Sequence, residues 1–223
     1  MRRKTQQSGF TLVEIAIVLV IIGLLLGGIL KGQELINSAK VKNLANDFRV
    51  IPTYIYAYQD KFKALPGDDA QVAAHLPAGP PAPIQGAVPP AGNGVINGPW
   101  NSAAVADESF LFWQHIRLAN LAAGSADTAV VATYIPTNAV GGIIGVSSMS
   151  AGQPHILTMT GTYQICSKGL LGKFVKQLDI QMDDGNTETG SMRAVLDTAA
   201  IGTAAVATAA IDEATPYTVC MTF

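Results

Sequence analysis

A chain of 223 residues, 49% apolar and with a net charge of −2, has room for one ordinary domain plus an appendage. The charge is unevenly spread: residues 1–62 hold eight Lys/Arg against four Asp/Glu, and residues 63–223 hold six against twelve. An acidic outer portion with no basic stripe argues against electrostatic binding to nucleic acid, and two cysteines without a Cys-x-x-Cys give no metal spacing.

Arg2, Arg3 and Lys4 open the chain, and an apolar run of 21 residues follows at 10–30, interrupted only by Thr11 and Glu14. At about 1.5 Å per residue that run spans roughly 31 Å, the thickness of a hydrocarbon core. The basic start keeps the N-terminus cytoplasmic and sends residues after about Lys31 across the bilayer. A cleaved secretory signal would have a shorter apolar core, about 7–15 residues, ending at a small-x-small site. A plain signal anchor explains everything except Glu14, since a carboxylate in a spanning helix costs roughly 2.5–3.5 kcal/mol and calls for a partner.

The stretch SGFTLVE at 8–14 resembles the processing site of type IV prepilins and of the pseudopilins of type II secretion. The match is a short basic leader ending in Gly, then Phe, then Glu four residues on, then the apolar helix. The resemblance implies that a prepilin peptidase cuts between Gly9 and Phe10 and methylates the new Phe10 amine. It further implies that Glu14 pairs with the Phe10 amine of a neighbouring subunit, because a desolvated charge needs an opposite one nearby. Gly23-x-x-x-Gly27 and Gly28-x-x-x-Gly32 are small-residue spacings that favour close helix contact, and Gly23, Gly27 and Gly28 would let this part of the helix loosen on assembly.

Beyond Leu30 the pattern becomes amphipathic, with Val41, Leu44, Phe48, Ile51, Ile55, Tyr58 and Phe62 spaced by three and four. Packing beneath the chain's own head is preferred over a partner-binding coiled coil. Pro52 lies inside this stripe and should kink the helix rather than end it. The turn residues LPGDD at 65–69 close the stem. Residues 77–101 are rich in Pro and Gly and read as a surface loop, with Gly92, Gly94 and Gly98 wrongly spaced for a dinucleotide fingerprint.

Helical spacing returns at 108–123, with Phe112, Trp113, Ile116, Ala119 and Ala123 on one face; its FWQHIRLANL stretch is similar to a segment of one group of prepilin-like proteins. Strands are expected at 128–135, 155–166, 191–198 and 217–223, with a short amphipathic helix at 171–178 and loop at 199–210. Cys166 and Cys220 fall on the threonine-bearing side of their strands, and a disulfide between them would staple the last strand from the outer surface. That pairing resembles the cysteine-bounded C-terminal region of type IV pilins, and its loop of about 55 residues would contribute roughly 4 kcal/mol.

No catalytic set emerges: His75, His115 and His155 are far apart and read as structural. Asp179, Asp183 and Asp184 invite a calcium reading, and some pseudopilins bind calcium in this region. Asp184 occupies the place of the turn glycine in an EF-hand, so an acidic turn is preferred, with no cofactor expected and calcium the one candidate.

The resemblance implies an α+β pilin fold, a long kinked N-terminal helix packed on an antiparallel sheet. Its expected parts are a leader (1–9), a transmembrane helix (10–31), an amphipathic stem (32–63) and a head (64–223) with a disulfide-bounded region at 166–220. It implies a non-enzymatic subunit of a type IV pilus or type II secretion pseudopilus. The protein would sit in the bacterial inner membrane with its head in the periplasm, and become filament after assembly. Its partners would be prepilin peptidase, other pilin subunits, the inner-membrane assembly machinery and membrane lipid. A minor subunit that primes or caps the filament, and an anchored periplasmic binding or sensor domain, are the alternatives.

Overall fold

The computed structural model describes residues 11–87, 90–149 and 155–223. The chain falls into two units, Met1–Ala39 and Lys40–Phe223. Helix α1, Leu12–Phe62, runs through both. In the first unit it is a helix without a core: Leu12, Leu19, Leu24 and Leu30 are each more than 60% exposed. Its most apolar 18-residue window has a mean hydropathy of 2.8, making it long and apolar enough to cross a membrane.

In the second unit the amphipathic stripe is buried as its spacing predicts. Val41, Leu44, Phe48, Ile51, Ile55 and Tyr58 are all under 5% exposed. The helix continues through Pro52 for ten further residues, because these buried side chains hold both flanks in register. Against this face pack α3 (Glu108–Leu118), α5 (Gly172–Met182) and a four-stranded sheet. The strands are β1 (Ile144–Ser148), β2 (Tyr163–Leu171), β3 (Met192–Leu196) and β4 (Pro216–Thr222). All pairs are antiparallel, in the order β1-β2-β4-β3. The result is the expected α+β, pilin-like arrangement, with Ile165, Val219 and Leu178 meeting Phe48 and Ile51 in one core.

Four expectations are corrected. Residues 128–135 are not a strand but hold the short helix α4 (Val131–Tyr134). Tyr134 is drawn into the core, where its hydroxyl accepts from the Gln114 amide and donates to the Phe110 carbonyl. Residues 155–162 do not extend β2; they fold across the sheet, with Ile156 bridged to Thr203. Strand β1 lies in a Gly-flanked stretch whose alternation is too short to register in the sequence.

The threonine-bearing side of β2 and β4 is not an outer surface. Cys166 and Cys220 are fully buried in a second, smaller core with Trp100, Ile156, Met159 and Val195. Gly145 admits the cover: a Cβ there would lie 1.9 Å from the Trp100 carbonyl oxygen. The Pro/Gly-rich stretch contains no helix or strand among its described residues, yet it is no free surface loop, because Ile96 and Trp100 are buried.

Candidate functional site

Gly9 and Phe10 lie outside the described residues. Directly after them, α1 begins with a reciprocal cap. Glu14 Oε2 accepts from the Thr11 amide and from the Thr11 hydroxyl, both at 2.8 Å, and the Glu14 amide donates to Thr11 Oγ1 at 3.3 Å. This is the capping box of a Thr-x-x-Glu sequence, and it satisfies helix N-terminal donors that hydrocarbon would leave orphaned. Thr11 is thus a functional candidate that the prepilin pattern alone passes over; the Thr-x-x-Glu spacing is the signal that finds it.

Along the same unit, Gly23, Gly27, Gly28 and Gly32 have nothing within 4 Å of the position a Cβ would take. Among the described residues nothing makes use of their small size.

In the second unit the sheet aligns the cysteines. Cys166 and Cys220 are directly paired in the β2–β4 register and form a disulfide across 54 residues of sequence. The acidic turn does not gather its carboxylates. Asp183 Oδ2 accepts from the Met192 amide at 2.8 Å, and Asp184 accepts from the Asn186 amide and the Thr189 hydroxyl, both at 2.8 Å. Asp179 is 1% exposed, and among the described residues neither of its oxygens completes a hydrogen bond. Among the described residues no three acidic, His or Cys side chains are grouped as metal ligands.

A polar network joins three stretches the sequence shows separately: LPGDD, the Gly-rich loop and the start of α3. Gly67, at φ +92°, passes so close to α3 that a Cβ would lie 2.3 Å from the Glu108 carbonyl oxygen. Its amide donates to His115 Nδ1 at 2.9 Å, and His115 Nε2 donates to the Ile84 carbonyl at 2.8 Å. Burial holds His115 below its ordinary pKa, so it is a neutral linker between the turn and the loop. Gln114 fastens the loop again, accepting from the Ile84 amide at 2.8 Å and donating to the Ala82 carbonyl at 3.2 Å.

Asp69, 1% exposed, accepts from the Tyr58 hydroxyl at 2.8 Å and the Gln71 amide at 2.8 Å, and pairs with His75 Nδ1 at 2.7 Å. His75 belongs to the short helix α2, Val72–His75. A cavity of about 580 Å³ opens beside this turn, lined in part by Phe62, Asp68, His75, Gly92 and Tyr163. His155 is apart from both, edge-on to Trp100 with ring centroids 5.5 Å away, and its buried Nδ1 has no partner among the described residues. The three histidines are therefore not brought together.

Comparison with known proteins agrees with the first unit. Residues 4–30 match the prokaryotic N-terminal methylation motif, the prepilin-type signature. No curated protein and no solved structure matches the chain. A motif of this kind marks structural subunits, implying processing by prepilin peptidase and assembly with other pilin subunits.

Proposed function

We propose that this chain is a non-enzymatic pilin or pseudopilin subunit that polymerises through the N-terminal part of α1. The observation that carries the reading is one helix that starts at Leu12, within the methylation motif matched at 4–30, and exposes its apolar side chains all round. A helix that is apolar on every face is stable in a bilayer or in the core of an assembly, and not in water. The precursor sits in the inner membrane with Arg2, Arg3 and Lys4 on the cytoplasmic side and the head in the periplasm. Cleavage between Gly9 and Phe10 frees an amine, which is methylated and then pairs with Glu14 of a neighbouring copy. The unfilled space over Gly23, Gly27, Gly28 and Gly32 supports close approach of a second helix.

Mass spectrometry of the membrane-extracted chain tests this reading. The expected product starts at a monomethylated Phe10. A chain that still begins at Met1 would overturn the reading in favour of a permanently anchored periplasmic domain.

A further inference from the structure

Two buried carboxyl groups meet where the turn after α1 passes the start of α3. Asp68 is 2% exposed, and both of its oxygens are committed as acceptors. Oδ1 accepts from the amides of Gly92 and Asn93, the latter at 3.1 Å, and Oδ2 from those of Gly94 at 2.6 Å and Val95 at 3.2 Å. Glu108 is fully buried, and its Oε2 accepts from the Asn97 amide at 2.9 Å and from Asn97 Nδ2 at 2.7 Å. Among the described residues its Oε1 meets no N–H donor, and the Asp68 carboxyl lies against Glu108. Two acceptors facing each other out of water repel, unless one of them carries a hydrogen.

We propose that Glu108 is a neutral carboxylic acid whose Oε1–H donates to Asp68, and that loss of this proton unlatches loop 92–97 from α3. Burial acts first to raise the pKa of Glu108 above the ordinary 4.5, the Asn97 donors oppose that, and the Asp68 charge and hydrogen bond raise it further. The remaining titratable groups around the pair do not supply a counter-cation. Asp107 accepts from the Ser102 hydroxyl, Asp69 is engaged by Tyr58 and His75, His115 is neutral, and Lys63 at the end of α1 pairs with Asp60 at 3.3 Å. From the sheet, Tyr163 is the group that feels the Asp68 charge.

A metal ion fits this place poorly. Hard cations want about six to eight oxygens, and among the described residues no third acidic, His or Cys side chain joins Asp68 and Glu108 as a ligand group. The latch secures more than its own pair. Loop 92–97 also exchanges hydrogen bonds with the end of β1, Ile96 N–H to Ser148 Oγ at 2.8 Å and Ser148 N–H to the Ile96 carbonyl at 3.0 Å. Releasing Gly92 and Gly94 from Asp68 would open the wall of the cavity they line.

The sign follows from the raised affinity. The folded chain holds a proton that the unfolded chain gives up at about 4.5. The contribution of the pair is therefore full below that value and is lost as pH rises through the folded pKa. The test uses the full chain in detergent, carrying carbon-labelled glutamate, from about pH 4 to about pH 9. The expected result is a Glu108 carboxyl resonance that titrates above the ordinary carboxylate range. Exchange protection of the Gly92–Val95 amides, corrected for intrinsic rates, should fall about tenfold or more over the same interval. Glu108→Gln keeps a donor that does not titrate, so its protection should be independent of pH. Titration of Glu108 near 4.5 would overturn the proposal, as would amides that stay protected while Glu108 ionises. Recovery of protection on adding calcium at alkaline pH would also overturn it, in favour of a cation between the two groups. Should Glu108→Gln fail to fold, the wild-type resonance and amides decide alone. None of these outcomes depends on the filament reading.

Discussion

Asp179 holds a carboxyl group that the last turns of α5 bury, and among the described residues neither of its oxygens completes a hydrogen bond. Burial raises its pKa from 3.8 to about 6; the Gly185 and Asn186 backbone amides, nearby but short of full hydrogen-bond geometry, oppose, and Asp184 and Asp183 push the same way as burial. The folded chain therefore binds a proton more tightly than the unfolded one. The contribution of Asp179 is complete below 3.8 and is lost as pH rises through about 6. Asp179→Asn should remove that part of the pH slope and make the head more stable than wild type at pH 8, by at most about 2–3 kcal/mol. Denaturant midpoints measured across the interval check this; a variant that keeps the wild-type slope would show that the group ionises without strain. Glu14 presents the opposite case, an acid with partners. Its bonds to Thr11 mean that an incoming amine must displace, or share, an existing cap. The acid in the apolar stem thus has a local structural reason to exist alongside its proposed assembly role.

At the scale of elements, what could be read from the sequence was what repeats. The α1 stripe, α5 and β4 each show a period of 3.6 or 2, and each forms where that period lies. The misread elements owe their state to contacts distant in sequence. Residues 128–135 have strand-forming side chains but find no strand edge, and Tyr134 is claimed by α3 instead. The Gly-rich loop looks unstructured because its order comes from Asp68, His115 and Gln114, side chains at separations of about thirty residues or less that no local pattern links. The cysteine side of the sheet looks polar for a similar reason: its cover, Trp100 and Ile156, comes from stretches with no periodicity. That cover makes a prediction. Replacing both Cys166 and Cys220 with Ala should lower the unfolding free energy by about 4 kcal/mol, the chain-entropy value for a closed loop of this length. It should also make the Trp100 emission red-shift at lower denaturant, since Trp100 packs in the core that holds the disulfide. An unchanged midpoint would mean that the small core, and not the covalent link, holds β4 in place.

For the molecule as a whole, the two units make opposite demands on their surroundings. Residues 40–223 bury a core of their own, with a disulfide and an anchored Gly-rich loop. Residues 11–39 bury nothing of the kind, and expose a helix that water would not tolerate. Stability and assembly should therefore be separable by mutation. Glu14 lies in the first unit, and among the described residues its side-chain hydrogen bonds go to Thr11. Replacing it should leave insertion intact, because removing a carboxylate makes the helix more apolar, by roughly 2.5–3.5 kcal/mol on insertion scales. The head should still fold, with its disulfide formed and its resistance to protease unchanged. What should vanish is the chain's presence in surface fibres, since the neighbour's amine has no acid to meet. Expression of Glu14→Ala, followed by membrane fractionation, a thiol-labelling assay for the disulfide, and immunoblotting of sheared fibres, reads all three. Wild-type amounts in the fibres would remove the pairing role from Glu14. Loss of the variant from the membrane fraction, or free thiols in the head, would show that the two units are not independent.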